Sequence, residues 1–84
     1  MEIHDEGLLR LFFQSTRDPG AAVAIERLAG EQIAAHEQRL AQYQALVASG
    51  LLRPGTPRRA TLEAGLRLEQ LMIDFWREVG AGRD

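Results

Sequence analysis

Histidines and carboxylates carry most hydrolytic and metal chemistry, so their placement is weighed first. The run His36-Glu37-Gln38-Arg39-Leu40 opens like the zinc-protease helix signature HExxH, in which two histidines one turn apart hold the metal and the glutamate activates water. Leu40 stands where the second ligand belongs, and the other histidine of the chain is His4, far away in sequence. Two histidines also leave no Ser/His/Asp set to assemble. Gly80-Ala81-Gly82 closes a helix instead of opening one, so no phosphate-cradling glycine loop is read from it. Glu69 falls on the same helical side as Leu62, Leu66, Ile73 and Trp76, where an ionised carboxylate is costly unless paired. An arginine, or His36 across an interface, is its natural partner. The chain is therefore expected to be non-enzymatic, with no catalytic residue, no metal and no cofactor.

Charge and composition narrow the partners. The net charge is -2, and the basic residues concentrate only at Arg53, Arg58, Arg59 and Arg67, around a turn. Such an acidic chain is a poor nucleic-acid reader, and specific DNA binding by it alone is not expected. No apolar run is long enough to span a bilayer, so no membrane partner is expected either. The opening Met1-Glu2-Ile3-His4-Asp5-Glu6 is acidic where an export signal is basic and then apolar, which makes a cytoplasmic location the expectation. With 84 residues and no cysteine, residues 1–84 form one domain whose core is marginal without a partner chain.

The elements that must position these groups are helical. Ala, Leu, Glu and Arg dominate, and no stretch alternates apolar and polar residues as a strand would. A short helix is expected from Asp5 to Ser15. Asp18-Pro19 reads as the start of a long helix that stops at Ser49-Gly50, and Thr56-Pro57 as the start of a last helix running to Val79. The long helix measures about 45 Å, too much for its own chain to wrap into a domain whose compact radius of gyration is about 12 Å. Ala22, Ile25, Ala29, Ile33, His36, Leu40, Tyr43 and Val47 share a stripe about 80° wide with the three-four spacing of a coiled-coil seam. On the last helix Leu62, Leu66, Leu68, Leu71, Met72, Ile73, Phe75, Trp76 and Val79 fill a sector of roughly 220°, wider than one packing face needs. A second chain is expected against Ile33, His36, Leu40, Tyr43, Val47, Leu66, Glu69, Met72, Ile73 and Trp76. The fold class is all-α: a short N-terminal helix, a long helix and a C-terminal helix in an intertwined homodimeric bundle.

The succession Leu8-Leu9-Arg10-Leu11-Phe12-Phe13, a long helix with Leu40, Tyr43 and Leu46, and Thr61-Leu62-Glu63-Ala64-Gly65-Leu66-Arg67-Leu68-Glu69 leading into Ile73-Asp74-Phe75-Trp76 resembles the C-terminal domain of PadR-type transcriptional regulators. The resemblance covers nearly the whole chain. It implies a helical homodimerisation domain that in the family follows a winged helix-turn-helix, a reader with no counterpart in these residues. A second reading, from the residues alone, is a free-standing binder of an apolar aromatic small molecule. Its pocket would lie between subunits, lined by Phe12, Tyr43, Phe75 and Trp76, with His36 and Glu69 as orienting polar groups.

Overall fold

The computed structural model describes residues 4–14 and 18–82. Three helices and no strand occur among them: α1 (Glu6–Phe12), α2 (Ala21–Ser49) and α3 (Pro57–Gly80). The all-helical expectation holds, and each terminus has a local cause. Asp5 caps α1, its Oδ1 accepting from the Leu8 amide at 3.0 Å, and the helix ends at Phe12, short of the Ser15 expected; Ser15 itself lies outside the described residues. At α3 the cap is Thr56, whose Oγ1 accepts from the Arg59 amide at 3.2 Å, with Pro57 in the first turn where no amide is needed. The same hydroxyl donates to the Arg53 carbonyl at 2.7 Å and so fastens the α2–α3 connection to the cap.

The start of α2 corrects the sequence reading. Asp18 does not cap it: the helix begins at Ala21, its N-cap is Gly20, and no side chain accepts from the first turn. Asp18 contributes its backbone carbonyl to the Ala21 amide at 3.0 Å, so Asp18-Pro19-Gly20 is spent as a turn before the helix. At the other end Gly50 sits at φ 72°, the left-handed conformation that glycine adopts without steric cost, and its amide donates to the Val47 carbonyl at 3.2 Å.

α3 folds back antiparallel along α2, and the pair carries the core. Their facing residues recur every seven positions, Ala29, His36 and Tyr43 on α2 and Leu62, Glu69 and Trp76 on α3. Ala29 packs with Trp76, His36 meets Glu69, and the Tyr43 ring lies against Gly65, where a Cβ would come within 3.1 Å of it. The stripe of α2 is thus occupied by the chain's own α3. α1 rests on α2 alone, at the open end of the hairpin, where Leu8 and Leu11 reach the cluster of Leu28, Ala29, Trp76 and Val79. The molecule is elongated, 51 × 25 × 18 Å, with a radius of gyration of 15.7 Å.

The two caps make opposite predictions. Thr56→Ala removes a made hydrogen bond and should cost about 1 kcal/mol, lowering the thermal midpoint by roughly 4–8 °C in a domain of this size. Asp18→Ala, at an exposed side chain that caps nothing, should stay within about 0.5 kcal/mol of the parent. Thermal unfolding followed by circular dichroism measures both.

Candidate functional site

Midway along the hairpin the core turns polar. His36 and Glu69 are both buried, and the imidazole Nδ1–H donates to the carboxylate Oε1 over 2.6 Å. Helix periodicity places them there: each stands seven residues from an apolar or aromatic core position on its own helix, so neither reaches water by turning outward. Arg39, one turn below His36 on the solvent edge, brings Nη1 to 3.8 Å from the same Oε1 and supplies positive charge without being buried itself. The layer is therefore a carboxylate held between an imidazole and a guanidinium. Nε2 of His36 and Nε1 of Trp76 are buried and meet no hydrogen-bond partner among the described residues.

The zinc-protease comparison fails on geometry as well as on sequence. The imidazole is engaged by Glu69, and Glu37, which would activate water, points to the surface and lies 3.8 Å from Arg77. Among the described residues no three His, Asp or Glu side chains converge to hold a metal ion. The basic turn is likewise committed to structure in part, since Arg59 Nη1 donates to the Leu52 carbonyl at 3.0 Å and its Nε lies 3.5 Å from Glu63.

Of the ten residues assigned to an interface, His36, Glu69, Ile73 and Trp76 are buried within the one chain, and Ile33, Leu40, Tyr43, Val47, Leu66 and Met72 are half-buried. Of the six assigned to a pocket, the structure joins His36 to Glu69 and Phe75 to Trp76, whose rings meet edge to face at 5.3 Å. Phe12 remains an exposed ring at the end of α1. Two surface concavities lie elsewhere, one on the outer side of α1 beside His4, Leu9 and Phe13, the other at the open end of the hairpin between Leu11, Ile25 and Val79. None of the six pocket residues lines either. The residues that the sequence reading left without a role are the large apolar side chains in water: Leu68 and Leu71 on α3, Leu46 and Leu51 at the far end of α2, and Phe13. The signal for the first two was the breadth of the apolar sector on α3.

The family model described as virulence activator alpha C-term matches residues 3–81, and the chain belongs to that family of regulator C-terminal domains. No curated protein and no solved structure matches the chain. No helix among the described residues is long and apolar enough to cross a membrane.

The polar layer generates a non-additive prediction. Removing one partner of a buried pair strands the other and costs about 3–5 kcal/mol, whereas replacing both by apolar groups is often neutral. Glu69→Leu and His36→Leu should each destabilise strongly, and the double variant should recover most of the loss in urea unfolding. Additive losses would mean that the two side chains act independently.

Proposed function

We propose that the chain is the dimer-forming, non-enzymatic module of a cytoplasmic transcription regulator of PadR type. The observation that carries this reading is its membership of the virulence activator alpha C-terminal family over residues 3–81. The order of apolar motifs from Leu8 to Trp76, which resembles the PadR C-terminal domain, supports it. So do the large apolar side chains that the hairpin leaves in water, Phe12, Phe13, Leu68 and Leu71 among them. In such a regulator two copies of the module fix the separation of two DNA-reading domains, and that separation sets the half-site spacing that can be bound.

DNA reading is assigned to another part of the regulator. Sequence readout needs a helix or ribbon that presents donors to base edges, whereas the basic cluster of Arg53, Arg58 and Arg59 flanks the turn into α3.

Two measurements test the proposal. Sedimentation at micromolar concentration should give twice the 9.4 kDa chain mass, and a monomer would contradict it. Fused to a monomeric operator-binding head, the chain should raise occupancy of a two-half-site operator at least tenfold over the head alone. The unfused chain should bind duplex DNA only weakly, without sequence preference and with loss in salt; tight, selective binding would contradict the reading.

A further inference from the structure

α1 has two faces. Gly7, Leu8 and Leu11 turn toward the hairpin, Gly7 so closely that a Cβ would collide with the Gln32 side chain. Phe12 and Phe13 turn away from it, 65% and 75% exposed, their rings edge to face at 5.1 Å. Most of both rings stands in water at the end of a seven-residue helix.

A second apolar row runs along α3. Met72 and Phe75 pack against the Trp76 cluster, as Leu8 and Leu11 do. One turn earlier in α3 the same row continues through Leu68 and Leu71, which are 54% and 62% exposed. α1 packs on α2 and does not run along α3, so it leaves this row open. One chain thus carries an uncovered apolar ridge and an uncovered apolar row of matching character.

With about 150–250 Å² per aromatic side chain, Phe12 and Phe13 leave on the order of 300 Å² in water. That is a large share of the roughly 800 Å² that each partner contributes to a stable interface. The leucine row adds to it. A two-fold pairing brings each ridge onto the other chain's row and covers both surfaces twice. Pairing α3 against α3 would cover the rows and leave all four phenylalanine rings exposed.

We infer that the occupant of the Leu68–Leu71 row is α1 of a second copy of this chain, seated through Phe12 and Phe13, with the contact repeated by symmetry. The inference rests on the dimer proposed above and adds which surfaces form it: the flank of the hairpin, with the His36–Glu69 seam kept within each chain.

The chain has no cysteine, so single introduced thiols report proximity without background. Phe12→Cys or Phe13→Cys chains are unfolded and refolded together with Leu68→Cys or Leu71→Cys chains, oxidised mildly, and the mixed disulfide is read by mass. A bond requires Cα atoms within about 7 Å. At least one mixed pair should cross-link tenfold more than Val23→Cys with Leu71→Cys, since Val23 is exposed on α2 and has no place in the contact. In parallel, Phe12→Ser/Phe13→Ser should sediment as a monomer with its helical circular dichroism retained. Cross-linking of Leu71→Cys chains only with themselves, or a Phe12→Ser/Phe13→Ser protein that stays dimeric, overturns the inference while the dimer stands. A parent chain that sediments as a monomer overturns the dimer itself.

Discussion

Everything in this molecule depends on how the inner stripe of α2 is covered. A 29-residue helix with an apolar stripe along most of its length needs a partner of comparable length. The 24-residue α3 supplies one, and among the described residues the short α1 is the further helix that packs on the pair. The hairpin is consequently two helices thick over most of its length, and Leu68 and Leu71 on its flank stay exposed. Small domains meet this shortage with disulfides, metals or association; the first is closed to a chain without cysteine.

The buried polar layer bears on pairing more than on chemistry. Apolar contacts between Ala29, Tyr43, Leu62 and Trp76 tolerate a slide of one helix along the other, because one apolar residue replaces another at each level. His36 and Glu69 do not tolerate it, since a shift of one turn separates them and buries each against hydrocarbon. A polar pair at one level of a heptad-spaced seam therefore selects a register at some expense of stability. Arg39, reaching the carboxylate from the edge, adds attraction while staying hydrated.

Much of this was legible in the residues. Asp5, Thr56-Pro57 and Gly50 mark helix ends through chemistry confined to a few neighbours, and the structure uses all three. Asp18-Pro19 carries a similar local signature and misleads, because Gly20 lets the backbone turn once more before the helix begins. The periodicity of His36 and Glu69 showed that both were buried and suited to pair. It did not show that the partner helix belongs to the same chain, because a helical wheel marks which face is covered and is silent on what covers it. Leu68 and Leu71 were read as part of an apolar sector too wide for one packing face, without a sign of which side of it the chain itself covers. Their type reads as core, and only the folded hairpin reveals that the core is already complete without them.

The central claim is that each chain fills its own seam and that association uses the flank. Isotope-filtered nuclear Overhauser spectroscopy on a dimer of one labelled and one unlabelled chain tests it most directly. Contacts of Trp76 with Leu28 and of His36 with the Glu69 side chain should appear only within a chain, and the methyls of Leu68 and Leu71 should give cross-peaks between chains. Trp76-to-Leu28 cross-peaks between chains would mean that α3 packs on the other copy's α2, and would contradict the division of surfaces described here.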